Sequence, residues 1–340
     1  MHELTAQLHA AIDLGNAEIE RAVAALLRPD VADTIKADFL RALREKGESA
    51  MEIAGFVKAL LGHAIEPGIE RSRLPAPILD VCGTGGDRME LFNVSTTSMF
   101  VLAAAGAVVV KHGNRAITSQ CGGADVLEQL GVRIDLPPPD LRRCVEALGL
   151  GFVFAPHYHP AFKGITPVRK LLASQGIPTI FNMLGPLLNP VKPEYQLVGI
   201  FSKSLLPKYA HALAALGRVR AWAVHGDGAD ELTTTGQSDV REVTPEGIRE
   251  FGVDPSVLGL PKRNVAELRG GDRRENARIL VAILDGSERG AKREIVALNA
   301  AAGFVVAGLA SDLPEGLALA VRQIDEGRAL AKLRALQAFS

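Results

Sequence analysis

The chain has 340 residues, 47% of them hydrophobic and 23% charged, with a net charge of −1. That length allows one large domain or two unequal ones around an ample core, and the composition argues against disorder. The near-zero charge argues against the whole chain being a nucleic-acid binder, so any anion site is local. The opening Met-His-Glu-Leu-Thr carries no basic stretch leading into an apolar run, and no secretory signal is expected. Residues 3–65 read as all helix, because Leu, Ala, Ile and Val recur at three- and four-residue spacing in Ile19–Leu27, Phe39–Leu43 and Met51–Leu61. Gly47 and Glu48-Ser49 punctuate the last two of these helices, and Pro and Arg residues mark a boundary near 66–76.

Beyond that boundary the rhythm changes. Ile78–Val81, Val108–Val110, Gly151–Phe154, Gln196–Ile200 and Ala221–His225 read as buried strands. Between them lie helical patterns at Ser95–Ala105, Ala124–Leu130, Asp140–Leu148 and Lys203–Leu216. Asn276–Leu284, Lys292–Gly303 and Leu317–Leu333 are helical candidates towards the end. Strands apolar on both faces, alternating with helices, predict an α/β fold with a mostly parallel central sheet covered by helices, preceded by a small all-helical domain. The longest apolar run, Met99 to Val110, contains a glycine and falls short of the roughly 20 residues of a membrane span. A cytoplasmic protein with no membrane partner is expected. Cys82, Cys121 and Cys144 are too few and too scattered for a disulfide framework or a zinc site.

Five segments carry chemistry. Asp80-Val-Cys-Gly-Thr-Gly-Gly-Asp87 follows the first strand, where Gly83, Gly85 and Gly86 let backbone N–H groups approach an anion; a plain tight turn is the alternative. Asn93-Val-Ser-Thr-Thr-Ser98 opens a helix, and four hydroxyls in a row exceed what capping requires; free amides at a helix start suit phosphate. Lys111-His-Gly-Asn-Arg115, with Thr118-Ser119, follows the second strand and offers cations, an amide and hydroxyls to phosphate oxygens. Asp227-Gly-Ala-Asp230-Glu231 follows the fifth strand as a platform for Mg²⁺, which prefers oxygen ligands, or as a solvated acidic loop. His157 and His159 do not match a zinc spacing, whereas Arg169 could hold a planar carboxylate through two parallel hydrogen bonds, or be an ordinary ion-paired surface arginine. Phe181-Asn-Met-Leu-Gly-Pro-Leu-Leu-Asn-Pro190 suits a rigid hinge or pocket wall.

Taken in order, these blocks closely resemble the anthranilate phosphoribosyltransferase family. The shared wording is Gly-Thr-Gly-Gly-Asp, Asn-x-Ser-Thr, Lys-His-Gly-Asn-Arg, His-Pro-Ala, Val-Arg, Thr-Ile-Phe-Asn-x-Leu-Gly-Pro-Leu-x-Asn-Pro and a late Asp-Glu pair, extending from Phe39–Glu48 to Glu275–Leu280. The resemblance implies Mg²⁺-dependent transfer of phosphoribosyl from 5-phosphoribosyl 1-pyrophosphate to the amine of anthranilate. It implies donor contacts at Gly83, Gly86, Asp87, Asn93, Val94, Ser95, Thr96, Lys111, His112, Gly113, Asn114, Arg115, Thr118, Ser119 and Gly123. Gly83, Asn114 and Arg169 would contact anthranilate, with His112, His159 and Pro186 lining its path, and Ser95, Asp230 and Glu231 would hold the metal. No side chain is expected to act as a strong general base; Lys111 would act electrostatically. The family's organisation implies a helical domain of residues 1–70 with a further segment near 163–186, an α/β donor-binding domain of residues 71–162 and 187–340, and a homodimer formed through the helical part.

The chain departs from the family pattern in several places. Leu91 stands where Ser or Thr is common, Thr118 replaces a Ser, Gly123 occupies a frequent Ser position, and Ala229 one that is often Leu or Met. The stretch from Lys170 to Pro178 is about three residues longer than usual. Three rival readings remain: a phosphoribosyltransferase with another aromatic or amine acceptor, a non-catalytic nucleic-acid-binding relative, and a pyrimidine nucleoside phosphorylase. The last would carry a Lys-x-Ser-Gly-Arg-Gly loop, which is absent.

Overall fold

In the computed structural model, which describes residues 1–86, 89–116 and 120–339, the expected helical start becomes α1 (His2–His9), α2 (Asn16–Leu27), α3 (Asp33–Lys46) and α4 (Ala50–Leu61). Helix α3 stops at Gly47, whose φ of 84° favours a residue without a Cβ. Ser49 then starts α4 through a reciprocal cap: its hydroxyl accepts from the Glu52 N–H, and the Glu52 carboxylate accepts from the Ser49 N–H at 2.8 Å.

The α/β part runs β1 (Ile78–Gly83), α5 (Val94–Ala104), β2 (Val108–Gly113), α6 (Gly123–Gln129), α7 (Pro138–Leu148) and β3 (Leu150–Phe154). The short α8 (Ala155–Tyr158), α9 (Thr166–Ser174) and α10 (Phe181–Leu184) lead to β4 (Tyr195–Gly199), α11 (Leu206–Ala215) and β5 (Arg220–Gly226). There follow β6 (Ser238–Thr244), β7 (Gly247–Val253), α12 (Val265–Leu268), α13 (Arg273–Leu284), α14 (Ala291–Val306), α15 (Leu313–Asp325) and α16 (Arg328–Gln337). The sheet order is β3-β2-β1-β4-β5-β6-β7, with the first five strands parallel and β6 and β7 antiparallel. Strand order therefore reverses between β1 and β4, which places the ligand-binding crevice of an open parallel sheet at their carboxyl ends.

All five expected strands form. The hairpin β6–β7 has no counterpart in the sequence reading, because its residues alternate charge with apolar side chains instead of forming a continuous apolar run. Its charges are satisfied across the ladder, Arg241 with Glu250 at 2.8 Å and Glu242 with Arg249 at 2.7 Å. The single late helix expected over Leu317–Leu333 is two helices, broken at Gly327, where φ is 68°. The apolar periodicity continues across the break and concealed it.

Alternate strand residues serve two cores. Val81, Leu197, Trp222 and Val224 pack with α5, α7, α13, α14 and α16. Cys82, Val198, Ala221 and Ala223 pack on the other face with α11, the N-terminal helices and residues Ile165, Val168, Leu172 and Ile180–Leu188. The arm that carries Arg169 thus shares a core with the helical bundle. Fully buried Lys36 of α3 donates to the Gly164 carbonyl at 2.9 Å, and Arg41 donates to Gln175 at 2.8 Å. Among the described residues no helix is long and apolar enough to cross a membrane.

A methyl group added at Gly164 would lie 2.3 Å from the Leu27 carbonyl oxygen, inside the joint between bundle and arm. Gly164→Ala is expected to cost about 1–3 kcal/mol, read as a lower urea midpoint; an unchanged midpoint would show that this joint yields freely.

Candidate active site

The crevice at the switch point is built around Asp230. Beyond β1, the Thr84 N–H donates to Gly199 O at 2.9 Å and the Thr84 hydroxyl accepts from the Phe201 N–H at 2.9 Å, tying the loop to the end of β4. Gly85 and Gly86 then turn the chain with φ of 67° and 84°. Asp230, in the loop after β5, accepts from the Gly85 N–H through Oδ2 at 2.6 Å. A Cβ at Gly83 would fall 2.4 Å from that same carboxylate oxygen, and one at Gly199 only 1.4 Å from Asp230 O. Both glycines are required by the close approach of Asp230. Next to it, Glu231 accepts from the Ser95 N–H at 3.2 Å, a carboxylate set against the positive end of α5.

The four hydroxyls at the start of α5 divide. Thr97 donates to Asn93 O at 2.9 Å and Ser98 to Val94 O at 3.0 Å, so both are spent within the helix. Ser95 Oγ instead accepts from Lys111 Nζ at 3.1 Å, and the same ammonium donates to Val81 O. Thr96 is buried, and a Cβ at Gly123 would come within 2.9 Å of its hydroxyl. Asn93 stands at the N-cap position without capping; its amide donates to Cys121 O and accepts from Asn276. Val94 is buried in the core, which leaves its main chain as the part able to meet a ligand. Gly113 packs on Phe152, and exposed Asn114 accepts from the Arg115 N–H at 2.8 Å. Arg115 pairs with Glu128 at 2.7 Å and lies over the Phe154 ring. Asp87, Thr118 and Ser119 lie outside the described residues.

A path of rings leads from His112, beside Lys111 on β2, to Arg169. His112, on β2, is 5.4 Å from His159; His159 is 5.2 Å from Phe162, and Phe162 is 5.9 Å from Phe181. Arg169 lies 5.3 Å from the centre of the Phe181 ring. Its guanidinium is half-buried and meets no carboxylate among the described residues; burial alone pushes its pKa down. His112 Nδ1 donates to Gly185 O at 3.1 Å and His159 Nε2 to Leu188 O at 2.9 Å, which fixes both neutral tautomers. Burial drives His112 down to about 3 and lowers His159 as well.

Several residues of the site escaped the sequence reading. Gln196 donates to Pro186 O at 2.7 Å and accepts from Arg218 at 2.9 Å, and Asn189 donates to Val110 O, stitching the Gly-Pro segment onto the sheet. Fully buried Asp80 accepts from the His112 N–H at 3.1 Å; burial raises its pKa against the opposing pull of Lys111. A carboxylate within an otherwise apolar strand was the available signal for Asp80. Asn276 lay inside a shared block but without an assigned role.

Among the described residues, no three His, Cys, Asp or Glu side chains gather as a metal site. Asp230, Glu231 and Ser95 nevertheless converge as oxygen donors on one loop and one helix start. That is a fit for Mg²⁺ completing its shell with phosphate and water.

Residues 75–330 match a family model described as the a/b domain of a glycosyl transferase family, and residues 2–64 match its helical bundle domain. The anthranilate phosphoribosyltransferase of Anaeromyxobacter dehalogenans is 45% identical over 94% of both chains. The chain belongs to the anthranilate phosphoribosyltransferase family. Among solved members, the Thermus thermophilus enzyme superposes with a TM-score of 0.91 at 39% identity, covering 99% of this chain and 98% of that one. The Saccharomyces cerevisiae enzyme in complex with PRPP and Mg gives 0.87 at 29% identity, covering 98% and 96%. The same yeast enzyme has also been solved with 4-fluoroanthranilate.

The family departures now have places. Leu91 bridges Arg269, so the segment before α5 is strapped to the residues after α12. The long stretch after Arg169 ends α9 and seats Gln175 on α3. Ala229 is buried in the tight turn that presents Asp230.

Neutral His112 has a measurable consequence. Its folded pKa of about 3 lies below the unfolded value of 6.5, so on acidification the unfolded chain takes the proton first. Stability is therefore lost as pH falls from about 6.5 towards 3, by about 2 kcal/mol from this group near pH 5. His112→Asn is expected to flatten the pH dependence of the unfolding free energy between about pH 7 and about pH 5. An unchanged slope would contradict the buried neutral state.

Proposed function

We propose that this chain transfers the phosphoribosyl group of 5-phosphoribosyl 1-pyrophosphate to the amine of anthranilate, releasing pyrophosphate. One observation carries this reading. The ring path that starts at His112 on β2, next to Lys111 whose ammonium meets Ser95, ends at Arg169, a half-buried cation with no anionic partner among the described residues. On this reading these rings would line the way between the donor and the acceptor.

The amine of anthranilate is already a neutral nucleophile, so the difficult event is departure of pyrophosphate from C1 of the ribose. Gly83 and Gly86, with Asn93, Val94, Ser95 and Thr96 at the α5 start, would bind the donor's phosphates. Asp87, Asn114, Arg115, Thr118, Ser119 and Gly123 complete the proposed donor cradle. Lys111 holds its ammonium beside Ser95, where it would offset charge on the leaving group. Mg²⁺ bound by Ser95, Asp230 and Glu231 would supply Lewis-acid stabilisation of the same charge. Arg169 would grip the acceptor carboxylate, while Gly83, Asn114, His112, His159 and Pro186 orient the ring. The two histidines, held neutral, shape the corridor without adding charge. Holding amine and C1 in line accounts for much of the remaining acceleration.

Residues 1–70 with 163–186 form the proposed helical domain, and residues 71–162 with 187–340 the donor-binding domain. The protein is proposed to act as a cytoplasmic homodimer paired through its helical part.

Purified protein supplied with Mg²⁺, 5-phosphoribosyl 1-pyrophosphate and anthranilate is expected to consume anthranilate, followed by loss of its fluorescence. Arg169→Ala should raise the anthranilate KM about tenfold or more, the size of a lost charge-assisted hydrogen-bond pair, while the donor KM stays within about twofold. Turnover of another amine with no use of anthranilate would reassign the acceptor. Equal increases in both KM values would remove Arg169 from that role.

A further inference from the structure

We infer that Asn276 is a positioning residue for the donor: it sets the amide of Asn93 and thereby fixes the distance between the two donor-binding loops. The inference rests on the donor reading above. Asn276 lies in the first turn of α13, is 3% exposed, and stands 183 positions from Asn93 in sequence. Three hydrogen bonds run head to tail through the two amides. The Gly271 N–H donates to Asn276 Oδ1 at 2.8 Å, Asn276 Nδ2 donates to Asn93 Oδ1 at 3.0 Å, and Asn93 Nδ2 donates to Cys121 O at 3.0 Å.

The direction of this relay is fixed at both ends. A backbone N–H can only donate and a backbone carbonyl can only accept, so neither amide can turn over without placing like groups face to face. Asn93 is the residue before α5, and Cys121 lies just before α6, beyond the end of β2, so the relay ties the α5 start to the segment entering α6. An amide nitrogen has two hydrogens. With one directed at Cys121, the other is left for the ligand, and Asn93 reaches the donor with its N–H side.

The surrounding backbone is shaped around the same contact. A Cβ at Gly270 would lie 2.5 Å from Asn276 Oδ1 and 2.8 Å from the Phe92 Cα. The Gly270 N–H donates to Glu90 O at 2.9 Å and Leu91 bridges Arg269, so residues 268–276 strap the segment that enters α5. Asn276 transmits that strap to Asn93.

The test is Asn276→Asp, read as donor and acceptor KM across pH. When ionised, the introduced carboxylate accepts at both oxygens; it keeps the Gly271 bond but opposes Asn93 Oδ1 with a second acceptor. When protonated, the introduced carboxyl donates to Asn93 as the amide does. Burial and the facing Asn93 Oδ1 would raise the introduced carboxyl's pKa above the usual Asp value. The variant's donor KM, relative to wild type at the same pH, is expected to be about tenfold higher near pH 8 and to fall towards wild type as the pH drops through that pKa, with the anthranilate KM unchanged within about twofold. A ratio that does not vary with pH, or parallel changes in both KM values, overturns the inference. If Asn276→Asp does not fold, Asn276→Ala decides: a donor KM raised about tenfold with an unmoved anthranilate KM supports positioning, and any other pattern overturns it. Wild-type protein without phosphoribosyl transfer would instead overturn the donor reading itself, an outcome distinct from failure of the Asn276 variants.

Discussion

The site depends on the close approach of one acidic residue to two strand ends. Asp230 is pressed against Gly83 at the end of β1 and Gly199 at the end of β4, with its carboxylate on the Gly85 amide. Strand order reverses between those two strands, so Asp230 occupies the crevice that the topology itself opens. The glycines there serve proximity first. The left-handed Gly85 and Gly86 turn the loop over the acid, and Glu231 beside it faces the start of α5. Two carboxylates are thus held among backbone N–H groups that an anion would also seek. A divalent ion between carboxylates and phosphates resolves that competition, which is why metal and donor are best read as binding together.

The acceptor side follows a different logic. Its residues come from the arm between β3 and β4, which shares a core with the N-terminal helices, while the donor loops stand on the sheet. Backbone carbonyls of Gly185 and Pro186 are held by His112 and Gln196 from the sheet, and that of Leu188 by His159 from within the arm, so the wall is fixed from both sides. Burial lowers the pKa of both histidines, and among the described residues the charge that ends the ring path is Arg169. On the proposed reading a planar anion would be drawn to that end by electrostatics and oriented by the rings.

Much of this was legible in the sequence because local chemistry announced it. Glycines, hydroxyls and cations placed directly after buried apolar runs mark loops at strand ends, and all five expected strands formed with those loops at one edge. The hairpin Ser238–Val253 was hidden because its charges are paired across strands, a neutralisation that only the ladder reveals. The hydroxyl run was read as one unit, whereas Thr97 and Ser98 turn back into their own helix and leave Ser95 and Thr96. Asn93, expected to contact the donor, stands at the N-cap position without capping and also links two loops. Neither Asn276, inside a shared block but without an assigned role, nor Gln196, inside an expected strand, showed its part, because the partners of each lie on other elements.

The most direct measurement is a crystal structure of this protein with 5-phosphoribosyl 1-pyrophosphate and Mg²⁺. The account predicts diphosphate oxygens about 3 Å from the amides of residues 83–86 and the start of α5, with the ion between them and Asp230 or Glu231. Donor density outside the β1–β4 crevice, or an ion bound without either carboxylate, would contradict it.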